Sequence, residues 1–144
     1  MSNIRIGPSG LGSAKTAIAV LEQYHKLGIR TCEITFTYGV YIKEAECESI
    51  RKKAEELGIS LSVHSSYYVN LNAEEKSKRE ATKKRILECC RIGELLGAKT
   101  VVFHPGYYGS DREKALETIK QGVKEMMEEI KKNGWKIKIA AEAM

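Results

Sequence analysis

Hydrophobic and polar positions alternate between two rhythms along this chain. Four long stretches, about residues 14–27, 43–57, 73–96 and 110–133, mix apolar with charged residues as surface helices do. They close on Leu27-Gly28, Leu57-Gly58, Leu96-Gly97 and Asn133-Gly134. Glycine just past a last helical turn accepts a left-handed backbone without penalty, so these four read as helix C-caps. Ser13, Asn72 and Ser110 read as N-caps, Asn72 with Glu75 in the capping pattern. Short apolar runs separate the helices: NIRIG at the start, then RTCEITF, SLSVH, KTVVFH and KIKIAAE.

The order β-α-β-α-β-α-β-α-β implies parallel strands joined by helical crossovers. The expected class is α/β: a (βα)4β half of a TIM (β/α)8 barrel, with five parallel strands and four helices in a single domain, 1–144.

Alternation also assigns faces. Leu61 and Val63, Val101 and Phe103, and Ile137 and Ile139 should face the helices. The opposite set ends in His64, His104 and Glu142, each the last residue of its predicted strand. In such folds chemistry collects at the C-terminal ends of strands. Two imidazoles and a carboxylate on neighbouring strand ends can converge on one metal and leave a coordination position open, the pattern of catalytic zinc. A hydrogen-bonded histidine without metal is the plain alternative. Arg5, Glu33 and Lys138 share the inner face, where a self-satisfying charge layer is expected.

The histidines also begin a repeated motif. VHSSYYVN and FHPGYYG place Tyr67 and Tyr68, and Tyr107 and Tyr108, three and four residues after His64 and His104. With Tyr38 and Tyr41 in TYGVY, six of seven tyrosines fall on loops above the strand ends. Loop tyrosines there suit stacking on bases or sugars.

Composition narrows the picture modestly. Net charge is +5, compatible with a polyanionic partner or with solvated helix faces. No apolar run is long enough for a membrane span and no signal-peptide pattern opens the chain, so the expected address is cytoplasmic. Cys32, Cys47, Cys89 and Cys90 lack metal-knuckle spacing and read as buried free thiols.

The segments IGPSGLGSAKTA, FTYGVY, VHSSYYVNL and FHPGYYG, with the strand ending at Glu142, resemble the N-terminal half of endonuclease IV, closest to archaeal-type members. The resemblance implies a zinc-dependent apurinic/apyrimidinic endonuclease of DNA repair. Such an enzyme cleaves the phosphodiester 5′ to an abasic site in double-stranded DNA with three zinc ions. It implies His64 and His104 as ligands of one zinc and Glu142 as a bridging, catalytic carboxylate. Tyr67 falls on the DNA-entering loop, with Tyr68, Tyr107 and Tyr38 beside it. Ser65-Ser66 stands where archaeal members commonly have Ala-Pro, and Ala143 follows Glu142 where they have Thr.

The family's remaining ligands lie on later strands, so at most one partial zinc site and no hydrolysis by the chain alone are expected. The stop at an element boundary fits a half-barrel, natural or engineered. Uncovered strand edges and an apolar inner face would favour a homo-oligomer. Two other classes stay open: a non-catalytic self-associating half-barrel scaffold, and a sugar isomerase or epimerase of the xylose-isomerase-like barrels.

Overall fold

The computed structural model describes residues 4–143. Four strands, β1 (Thr31–Thr35), β2 (Ser60–His64), β3 (Thr100–Phe103) and β4 (Lys138–Ala141), form one parallel sheet in chain order. They alternate with α1 (Ala17–Lys26), α2 (Glu44–Glu56), α3 (Lys76–Leu95) and α4 (Arg112–Lys132). This is the expected α/β architecture of a partial TIM barrel, with one strand fewer. The predicted first strand includes Asn3, outside the described residues. From Ile4 to Pro8 no strand forms, and contact with β1 shrinks to a parallel bridge between Ser9 and Glu33. Pro8 has no N–H for a ladder. Ile4 and Ile6 are 76% and 87% exposed, so their alternation has no covered face to serve.

The four helices end alike. Ile29, Ile59, Ala98 and Trp135 each donate an N–H to the carbonyl five residues back. The intervening glycines hold φ between +65° and +79°, the Schellman geometry that turns each helix into its next strand. The predicted N-caps fare worse. Thr16, Glu75 and Asp111 occupy those positions, and Asp111 accepts from the Lys114 N–H. Ser13 sits in a turn closed by Thr16, and Asn72 has another task described below.

The faces follow the predicted parity. Cys32, Ile34, Leu61, Val63, Val101, Phe103 and Ile137 are buried beneath the helices with Ile50, Ile86, Ile92, Leu96 and Met126. The inner face is open and, contrary to expectation, mostly polar. It carries Thr31, Glu33, Thr35, Ser60, Ser62 and Thr100, half-buried, with Lys138 exposed at the edge. Short hydroxyl side chains satisfy themselves locally, as Thr31 does by donating to the Ser60 carbonyl at 3.2 Å, so this face tolerates water. The expected charge layer does not form. Glu33 accepts from the Ser9 hydroxyl at 3.2 Å and Arg5 reaches the Arg30 carbonyl at 3.5 Å. Among the described residues no ion pair joins Arg5, Glu33 and Lys138.

All four cysteines are free and buried. Burial pushes the Cys32 thiol up to about 11, Glu33 adding to it, and pushes those of Cys89 and Cys90 up to about 12. At pH 8 a thiol-reactive disulfide reagent is expected to label no cysteine in the native chain and all four after denaturation. The raised values also set a pH limit. The folded state keeps these protons longer than the unfolded chain, whose thiols titrate near 9.0. Their contribution to stability is therefore full below about pH 9 and lost as pH rises toward 11–12. A melting temperature lower at pH 10 than at pH 8 is the expected sign.

Candidate metal centre

β2 ends on His64, while His104 and Glu142 each stand one residue beyond their strand. The ladder nevertheless continues to them: Ser65 donates to the Val102 carbonyl at 2.8 Å, and Glu142 to the Phe103 carbonyl at 3.0 Å. In register His64 pairs with Val102 and Val102 with Ala140, so His104 and Glu142 stand one inner-face position higher. The side chains still meet. Candidate ligand atoms of the three residues lie within 4.8 Å of one another. His64 Nε2 is 3.4 Å and His104 Nε2 3.8 Å from the same Glu142 Oε2.

The hydrogen bonding shows what this arrangement suits. His64 Nδ1 lies 3.0 Å from the Ser65 carbonyl, which can only accept. In the neutral ring the proton therefore sits on Nδ1, and a bare Nε2 lone pair faces a carboxylate oxygen. Two acceptors opposed at that distance call for a cation or a proton between them. Tetrahedral ligands about 2.0–2.2 Å from zinc stand roughly 3.3–3.6 Å apart, close to the observed 3.4 Å and 3.8 Å. Two imidazoles and one carboxylate form a donor set that suits zinc. His104 Nδ1, in contrast, is buried without a hydrogen-bond partner among the described residues.

The tyrosines divide. Tyr67 lies nearly parallel to the His104 ring, centroids 6.0 Å apart, and 5.9 Å from His64. It roofs the histidines while staying 63% exposed. Tyr38 and Tyr68 form a separate tilted pair at 6.5 Å. Tyr107 and Tyr108 stand exposed on the loop after β3. Tyr41 instead packs edge-on against Phe36 at 5.4 Å, and burial raises its hydroxyl pKa.

The two histidine-tyrosine loops are fastened to each other. Leu71 donates its N–H to the Pro105 carbonyl at 2.8 Å. The Asn72 amide donates to the carbonyls of Tyr107 and Tyr108 at 2.8 and 3.3 Å. Gly106 passes so close that an added Cβ would stand 2.1 Å from Asn70 Oδ1, at φ +129°. Only glycine lets the second loop lie against the first there. Ser66, at the departure from the archaeal pattern, accepts from the Tyr68 N–H at 3.2 Å and donates to Thr37, turning the first loop. Sequence reading missed Asn72 in this role. The cue available was an Asn-Leu-Asn run directly after the first tyrosine pair.

No helix among the described residues is long and apolar enough to cross a membrane. A probable endonuclease 4 of Acholeplasma laidlawii is 30% identical over 108 residues, covering 72% of this chain and 36% of that protein. An uncharacterized protein of Methanocaldococcus jannaschii is 31% identical over 119 residues, covering 82% of this chain and 42% of its own length. This chain therefore spans less than half of either. Among solved structures, endonuclease IV from Thermus thermophilus superposes with a TM-score of 0.66 at 25% identity, covering 84% of this chain and 46% of that one. A D-tagatose 3-epimerase-like protein reaches 0.77 at 20% identity, covering 98% and 53%, a likeness of fold alone. The model of the xylose isomerase-like TIM barrel matches residues 21–144, and with the strand order and inner-face geometry above, the chain belongs to that family.

Proposed function

We propose that His64, His104 and Glu142 form one zinc site of an endonuclease IV-type DNA-repair hydrolase, and that the chain contributes this N-terminal portion of its active site. The observation that carries the reading is the convergence of two imidazole nitrogens and a carboxylate beneath an exposed tyrosine. Zinc held there supplies a Lewis acid for a phosphate oxygen. The Ser65 carbonyl fixes the His64 tautomer, and Glu142, 55% exposed, stays open to solvent. Tyr67 offers a ring face to a nucleotide turned out of the stack, which is easiest where a base is missing. Tyr38, Tyr68 and Tyr107 extend that surface along the strand. Two-metal sites clamp both the attacking and the leaving oxygen, and the described residues offer one such group, so the reading is binding of abasic DNA without cleavage.

The nitrogen-rich ligand set weighs against the sugar-isomerase alternative, since carboxylate-rich sets suit magnesium and manganese better. Self-association belongs to the same reading: the outer edge of β4, unpaired among the described residues and beside exposed Met127 and half-buried Trp135 and Ile139, suits a second copy. Fluorescence anisotropy of zinc-loaded protein on a duplex with one stable abasic analogue, against the intact duplex and a competing ketohexose, tests the proposal. An abasic preference of about tenfold or more, without nicking and with a dimer sedimenting in the same samples, is expected. Competition by the ketose with equal binding to both duplexes would sink it.

A further inference from the structure

The loop carrying Tyr107 and Tyr108 holds features that the metal centre does not use. One side chain, Asn72, binds both tyrosine carbonyls, and its own N–H is held by Asn70 Oδ1 at 3.0 Å. None of these bonds touches His64 or His104. The loop is thus ordered through its backbone while its rings stay 65% and 56% exposed, order without burial. Core packing cannot be the reason for that order.

Arg112 is the second feature. Its guanidinium carbon lies 5.2 Å from the centre of the Tyr108 ring. It occupies the first turn of α4, where the helix dipole favours anions and disfavours a cation. The neighbouring Asp111 carboxylate is engaged by the Lys114 N–H. Among the described residues Arg112 makes no ion pair and no side-chain hydrogen bond. A local rule is broken and only the Tyr108 ring offsets it, as happens at functional positions. Seated on an aromatic face, a guanidinium keeps its N–H fork free, in the geometry that grips a phosphate bidentately.

We propose that Tyr108 and Arg112, positioned by Asn72, form a strand-binding station for DNA beside the metal centre: the ring stacks on a base or sugar and Arg112 pairs with a backbone phosphate. The inference rests on the DNA reading above and adds residues to it. Asn72 acts as a positioning residue, through the Tyr107 and Tyr108 carbonyls.

The test is a salt titration of anisotropy, from about 50 to 200 mM, with the zinc-loaded full chain on the abasic duplex. Arg112→Gln is expected to weaken binding about five- to tenfold and to lower the slope of log K against log salt by about one, with zinc content unchanged. Arg112→Lys keeps the slope and loses part of the affinity. Asn72→Ala removes the amide donors without adding a charge and is expected to weaken DNA binding about threefold or more, with zinc stoichiometry at the wild-type value. Tyr108→Ala removes the stacking ring and is expected to weaken binding about fivefold or more, with zinc content unchanged. An Arg112→Gln slope equal to wild type, with the abasic preference intact, overturns the station and leaves the metal-site reading standing. Equal binding to abasic and intact duplexes overturns that reading, while a slope lowered by about one still supports the station. Zinc loss in Asn72→Ala would mean that Asn72 braces the metal loop, and would overturn its assigned role.

Discussion

His104→Ala is expected to abolish stoichiometric zinc binding, weakening affinity at least about 100-fold. Loss of an outer-shell partner alone costs about 10–100-fold at such sites, and this change removes a ligand. The two nitrogens flank one Glu142 oxygen at 3.4 and 3.8 Å, so removing either leaves a pair that cannot enclose a cation. His64→Ala should behave alike. The chain carries its own control: His25, the third histidine, lies on α1 with Nδ1 3.0 Å from the Leu57 carbonyl, at the opposite ends of the strands. His25→Ala should keep its zinc. Metal content by mass spectrometry and a competitive chelator titration read all three. Without metal, the melting temperature of His104→Ala should change little, since the truncation gives up ring contacts but also removes a buried nitrogen with no partner among the described residues. With zinc at about 100 times its Kd, wild type gains about 2.7 kcal/mol and the variant gains none. Equal zinc retention by His104→Ala and His25→Ala would mean that the three residues do not form a site.

The convergence of His64, His104 and Glu142 was legible because strand parity is a local property. SLSVH and KTVVFH state which way each side chain points, and parallel order brings their ends together without further information. The helix C-caps were legible for the same reason, since Gly28, Gly58, Gly97 and Gly134 each act within one turn. What failed depends on neighbours. Ile4-Arg5-Ile6 alternates as a strand does, yet whether it becomes one is decided by a ladder and a cover that alternation does not encode. The expected apolar inner face ignores Ser60, Ser62 and Thr100, which stand in the sequence with the inner parity. Asn72 matched a capping pattern three residues from a glutamate. Its amide instead found two carbonyls 35 and 36 residues away, a contact fixed by the path of two loops. Arg112 gains its meaning only once Tyr108 lies beneath it.

Phe103→Ala is expected to cost about 3–5 kcal/mol, the largest single-residue loss of stability foreseen here. Phe103 ends β3, an interior strand of the sheet, and is among the largest wholly buried side chains. Truncation leaves a cavity under α3, whose glycine at position 93 already brings the helix backbone close to Val63, Val101 and Ile137. Close packing on both sides limits collapse, which pushes the cost toward the upper end of the range. Against a total of about 5–15 kcal/mol, the melting temperature should fall by roughly 10 °C or more. The neighbouring position supplies the contrast. Val102 points to the open inner face and is only half-buried, so Val102→Ala should cost about 1 kcal/mol. The ratio tests the facing that places His104 beside Glu142, since His104 shares parity with Val102. Chemical denaturation of both variants, compared at equal m-values, decides it. If Val102→Ala proved the costlier, the inner and outer faces of β3 would be exchanged, and His104 would point into the helices and away from the carboxylate.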